Sequence, residues 1–132
     1  MGQGFKDPFG PPSLKASEIR TVPIPSNPTC AGLPSNAAAW SLNFVAIGIG
    51  TFTTAFLSAF PTGTGFSNTS ILNFGPGLPT SGMSVIQAGT GGAIDLFVNY
   101  EADVLIDVNG YYVATGVARD GVRSQHCDIA AG

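Results

Sequence analysis

The chain holds one histidine, two cysteines and eight carboxylates, and their types and spacing decide which chemistry is open to it. His126, Cys127 and Asp128 stand together near the C-terminus, with Cys30 far upstream. Imidazole, thiolate and carboxylate are zinc ligands, but this spacing fits none of the usual finger arrangements, so no metal is expected. A serine hydrolase needs a histidine set between a nucleophile and an acid. One histidine in a polar tail and no G-x-S-x-G elbow leave no nucleophile to activate. Asp95, Asp103 and Asp107 offer hard oxygens of the kind calcium takes, without the dense Asp/Asn/Gly loop of an EF-hand. A solvated face is the simpler reading of them. A glycosidase would need two acids across a cleft, which spacing along a chain does not define. The expectation is a protein that is not an enzyme, with no catalytic residue and no cofactor.

Aromatic residues are the other group with chemical meaning. Phe97 and Tyr111 alternate into register with Asp95, Asp107 and Asn109, so the five form a candidate binding face on which rings stack sugars or a neighbouring subunit. Trp40 lies in an alternating apolar run and is expected in the core.

The elements that would position these residues read as strands. Met83 to Ala88 is apolar and runs into Gly89-Thr90-Gly91-Gly92, a turn in which glycine takes φ > 0. From Ala93 to Tyr100, Ile94, Leu96, Val98 and Tyr100 share one face, with Asp95, Phe97 and Asn99 on the other. A further run sets Val104, Ile106, Val108 and Tyr112 against Leu105, Asp107, Asn109 and Tyr111. Period-2 patterning rich in β-branched and aromatic residues marks strands, and the three in succession suggest an antiparallel meander. Upstream, Ala37 to Gly50 reads as a buried strand and its turn, and Thr51 to Phe60 as the next strand, with Phe52, Phe56 and Phe60 facing away from Leu57 and Ala59. Ser70 to Phe74 reads as a short strand. Short strands at intervals of about 10–15 residues, punctuated by Gly and Pro, predict an all-β antiparallel sandwich of the jelly-roll kind.

The ending Ile106-Asp107-Val108-Asn109-Gly110-Tyr111-Tyr112 resembles the "vDvnGYf" terminus of a β-rich domain common in bacterial exported and cell-surface proteins. There the domain often repeats or accompanies cell-wall enzymes. Further landmarks follow in order: Cys-x-x-x-Pro (Cys30 to Pro34), "AxaxslN" (Ala37 to Asn43), "fLsxfPtG" (Phe56 to Gly63), "tSxLNf" (Thr69 to Phe74) and "GtgGaidlfv" (Gly89 to Val98). They span residues 30–113. Two positions depart from the pattern: Asn43 is followed by Phe-Val where Asn-x-Thr is usual, and Gly82 replaces an Asn. The resemblance implies a β-rich fold and an extracellular or cell-surface location, and it brings no catalytic residues. An exported setting favours oxidised thiols, so Cys30 and Cys127 are a candidate disulfide, within one chain or between subunits, with two free thiols as the remaining alternative. Closed within one chain, so long a loop contributes about 4–5 kcal/mol in the chain-entropy model.

At 132 residues with 44% hydrophobic and 10% charged residues, the chain suits one domain. That charged fraction falls well below the ~25% of ordinary globular domains. Lys6, Lys15, Arg20, Arg119 and Arg123 all lie outside 21–118, where Asp95, Glu101, Asp103 and Asp107 give a local charge of −4. Nucleic acid, which calls for a basic stripe, is therefore not an expected partner. No apolar run approaches the ~20 residues of a membrane span, and MGQGFKDPFG lacks the apolar stretch of a secretory signal. Three segments are expected: an extended Pro/Gly-rich arm over 1–28, the sandwich over 29–116 and a polar tail over 117–132. The arm's isolated apolar residues, Phe5, Phe9, Leu14, Ile19, Val22 and Ile24, would wrap their own domain or plug a neighbour by strand addition. The functional expectation is a self-assembling structural subunit (filament, sheath or lattice) whose partner is itself. A carbohydrate- or cell-wall-binding module is the alternative.

Overall fold

The computed structural model describes residues 12–26, 32–66, 69–113 and 123–131. Eight strands make up the fold: β1 (Ile19–Val22), β2 (Ala39–Gly48), β3 (Ala55–Pro61), β4 (Leu72–Phe74), β5 (Thr80–Gln87), β6 (Ile94–Val98), β7 (Ala102–Tyr112) and β8 (Arg123–Ala131). They form two four-stranded sheets, ordered β1-β6-β3-β4 and β5-β2-β7-β8. Every neighbouring pair within the sheets is antiparallel. The β2–β7 pair encloses the β3–β6 pair in sequence, the nesting that characterises a jelly roll. This is an all-β sandwich.

Alternation explains the core. Trp40, Leu42, Phe44 and Ala46 of β2 and Val104, Ile106 and Val108 of β7 are buried on one sheet; Leu57 of β3 and Ile94, Leu96 and Val98 of β6 meet them from the other. Side chains two apart along a strand share a face, so β2, β6 and β7 each bury one set and leave the other outward. Trp40 is fully buried, and its indole Nε1–H donates to Gly92 C=O at 2.8 Å. That bond ties the core of one sheet to the loop that leads into the other.

Four features depart from the sequence reading or take one of its alternatives. Strands β5, β6 and β7 are not a meander: β5 and β7 flank β2, whereas β6 lies in the opposite sheet between β1 and β3. Two consecutive strands, each with one apolar face, can lie side by side or face one another across a core. Periodicity is the same for both.

The second departure is β8. Arg123–Ala131 was expected as irregular tail and instead pairs with β7 from Val104↔Ala131 to Tyr111↔Arg123. Its sequence has little strand propensity; the open edge of β7, whose backbone groups need partners, supplies the reason.

The third is the arm, whose described part belongs to its own domain. Leu14, Val22 and Ile24 are buried in the core cluster, and Ile19 opens β1, half exposed. Leu14 and Ala102 exchange two backbone hydrogen bonds of 3.0 Å. Arg20 holds the segment in place: its guanidinium donates to Glu18 Oε2 at 2.9 Å, to Pro12 C=O at 2.6 Å and to Ser13 C=O at 3.2 Å. Phe5 and Phe9 lie outside the described residues.

Fourth, β7 carries a bulge. Leu42 stands opposite Val108 but Ser41 opposite Gly110, so Asn109 is the extra residue. A bulge resets the alternation beyond it. Tyr111 therefore falls opposite Trp40 and packs edge-on against it, with ring centroids 6.0 Å apart.

Candidate functional site

The five residues expected on one binding face are divided between two sheets. Asp95 and Phe97 lie on β6, while Asp107, Asn109 and Tyr111 lie on β7. Tyr111 leaves the set altogether, because the bulge turns it toward the core cluster, against which it is partly buried. Asp107 stands opposite Asn43 on the outward face of its sheet, and Asn109 occupies the bulge. Asp95, Asp103 and Asp107 do not converge, and among the described residues no group of three or more His, Cys, Asp or Glu could hold a metal ion. Asp103 accepts from the Ser13 hydroxyl, and Glu101 pairs with Lys15 at 2.8 Å. These acids fasten the N-terminal segment. The Cys30–Cys127 bridge lies outside what the described residues report.

What remains on the β6 side is an aromatic surface that alternation alone only partly shows. Phe97 stands opposite Ser58 of β3 and Ile19 of β1 on the outward face of the sheet. Phe56 lies 5.7 Å from Phe97 by ring centroid, and Phe66 reaches over from the loop after β3 to within 4.5 Å of it. Phe66 also meets Phe60 edge-on at 5.8 Å, burying Phe60 on a face that would otherwise be open. Phe66 itself remains 45% exposed. Beside this cluster, Asp95 Oδ1 accepts hydrogen bonds from Thr21 at 2.8 Å and Thr62 at 2.7 Å. Three strands or loops thus fix one carboxylate next to exposed rings. Sequence reasoning found Asp95 and Phe97 and missed Phe66, which sits in a Gly/Thr-rich loop with no periodicity to reveal it.

A second exposed surface lies on β5, the outermost strand of the other sheet. Met83 is 69% and Val85 55% exposed there, and Leu78 just before the strand is 74% exposed. Met83 and Val85 stand opposite Asn43 and Ser41 on the outward face. No Asp, Glu, Lys or Arg occurs between Arg20 and Asp95, so no fixed charge from β2 to β5 interrupts this surface. A shallow groove of about 290 Å³ adjoins it, lined by Ala59, Phe60, Ile71, Val85, Ile86 and Gln87 among others.

No family model, curated protein or solved structure matches the chain. No helix among the described residues is long and apolar enough to cross a membrane.

Proposed function

We propose that the chain is a structural, self-assembling β-subunit of an extracellular or cell-surface filament, sheath or lattice. The observation that carries this reading is the charge-free stretch from β2 to β5 with Leu78, Met83 and Val85 standing out of it more than half exposed. Like charges normally keep globular subunits apart, and low net surface charge favours association. Large exposed apolar side chains grouped on one surface mark a contact site. The resemblance of the Ile106–Tyr112 ending to bacterial cell-surface domains supports the location.

In this reading the arm does not join the subunits. Leu14, Val22 and Ile24 fill the chain's own core, so an exchange of the whole arm would have to vacate it. Sedimentation velocity across a concentration series, followed by negative-stain electron microscopy, tests the reading. Association that grows with concentration into regular assemblies is the expected result, with removal of residues 1–11 leaving it in place. Dispersed monomers at every concentration would overturn the proposal.

A second reading, a glycan- or cell-wall-binding module, is favoured by the Phe66–Phe97 pair beside Asp95. Sugars present apolar faces to rings and hydroxyls to carboxylates. Binding on a glycan array lost in both Phe66→Ala and Asp95→Asn would support it, and an array blank for the wild-type chain would remove it.

A further inference from the structure

We infer that the β5 edge is an interface to a second copy of the same chain, the two β5 strands pairing antiparallel about a two-fold axis. This inference rests on the self-assembly reading and names the surface that performs it. Among the described residues β5 pairs with β2 alone. Its eight residues, Thr80–Gln87, hold an unbroken register with β2.

The direction of the backbone groups on the open side follows from the bonds flanking the strand. Ala88 N–H donates to Ala38 C=O at 2.9 Å. Ahead of β5, Gly48 donates to Gly75 at 3.3 Å and accepts from Gly77 at 2.9 Å. Even-numbered residues of β2 therefore turn their backbone toward β5. Their partners are even-numbered too: Ala46, Phe44, Leu42 and Trp40 stand opposite Thr80, Gly82, Ser84 and Ile86. Bonding direction alternates along a strand. Ser81, Met83, Val85 and Gln87 consequently aim their N–H and C=O groups away from β2, and their side chains lie exposed on the outward face.

A row of this kind is completed by another extended strand, and proteins usually protect it. The other three edges show such protection. β1 is four residues long and is followed by Pro23; β4 is three residues long, with Pro76 two positions on; β8 carries Arg123, His126 and Asp128 in its sequence. β5 is twice the length of β1 and carries no charge, and its flanking proline, Pro79, stands ahead of the strand and leaves the outward N–H groups of Ser81 to Gln87 in place.

Charge and register favour a copy of β5 as its partner. A charged peptide would find no countercharge between Arg20 and Asp95, whereas a second β5 meets no like-charge opposition. Only outward-directed residues can bond across the join, and centring the pair on Ser84 uses Ser81, Met83, Val85 and Gln87 from each copy. Met83 then stands opposite the copy's Val85 and Ser81 opposite the copy's Gln87: apolar against apolar, polar against polar. The two four-stranded sheets join edge to edge, and the two-fold closes the contact, so a larger assembly adds this join to another.

The test uses the full chain and three variants in sedimentation velocity, each checked for folding by circular dichroism. Val85→Pro deletes one outward N–H while sparing the bonds to β2. It is expected to weaken dimerisation by at least about tenfold at an unchanged monomer fold. Met83→Lys/Val85→Lys sets lysine against lysine twice across the join and is expected to abolish the dimer. It also decides the matter if the proline variant fails to fold. Met83→Lys/Val85→Glu places each lysine opposite the copy's glutamate, so dimers are expected to return and to become salt-sensitive. Folded Lys/Lys chains that associate like wild type would overturn the edge interface while leaving self-assembly intact. A Lys/Glu variant no better than Lys/Lys would overturn the register. A wild-type chain that stays monomeric would overturn the self-assembly reading itself.

Discussion

At the scale of single residues, two neighbouring glycines are required for different reasons, one by close packing and one by conformation. Gly89 has an ordinary φ of −97°. A Cβ there would lie 2.1 Å from Thr62 N and 2.2 Å from Thr62 O, both backbone atoms that cannot turn aside. Gly91, two residues on, has φ +67° with nothing near its absent Cβ. Gly91→Ala should therefore cost only the left-handed penalty of about 1–2 kcal/mol. Gly89→Ala should cost more, because it separates Thr62 from the backbone bonds it makes with Thr90 and Ala93. Urea denaturation of both variants ranks them, and equal losses would contradict the packing argument. Trp40 gives a second prediction at this scale. Trp40→Phe keeps a ring in the core but removes the donor to Gly92, leaving a buried carbonyl unsatisfied at a cost of about 1–3 kcal/mol. The same titration reads that loss as a lower midpoint with an unchanged slope.

Strands and segments reveal how far the sequence could be read. The existence of β2, β6 and β7 follows from period-2 alternation and that of β3, β4 and β5 from apolar runs between Gly/Pro turns, and the buried faces of β2 and β6 match the apolar sets marked by that period. Pairing was not legible in the same way. Alternation says which residues face together but not which sheet a strand joins, so β5, β6 and β7 read equally well as a meander. One bulge residue, Asn109, moved Tyr111 from the expected binding face to the side of Trp40. The Asn-Gly pair at 109–110 inside a strand was the available signal, since glycine within a strand often marks a bulge. Strand β8 carried no comparable signal, its pairing being supplied by β7. The candidate site was half legible: Asp95 and Phe97 belong together, whereas Phe66 is brought to them only by the path of its loop. The N-terminal segment yields the prediction proper to this scale. Leu14, Val22 and Ile24 are fully or almost fully buried, and burying such side chains contributes roughly 1.5–3 kcal/mol each. A chain lacking residues 1–26 loses a large part of the 5–15 kcal/mol that typically holds a domain together. It should show no cooperative thermal transition by circular dichroism, and a native-like melt would show that the segment is dispensable.

For the molecule as a whole, charge distribution sets how copies meet. The surface from β2 to β5 has no fixed charge for salt to screen. Association through it should change little between about 0.05 and about 0.5 M NaCl, a range across which exposed ion pairs are progressively screened. Sulfate, which strengthens apolar burial, should tighten it. Sedimentation in the two salts separates this contact from one built on Lys15, Arg20 or the acids of β7. A strong weakening by NaCl would place the interface among those charges.

The pairing of β1 with β6 also bears on how the chain is made. Val22 finds its partner, Ile94, and β1 completes its ladder at Phe97. On the ribosome the first strand therefore waits for some seventy further residues, about 4–15 s at ordinary elongation rates. As that interval runs, the nascent chain displays a growing charge-free stretch, with β5 added near its end and no finished sheet to bury its apolar face. Slowing translation lengthens that period, and with it the time in which two nascent chains on one messenger can meet.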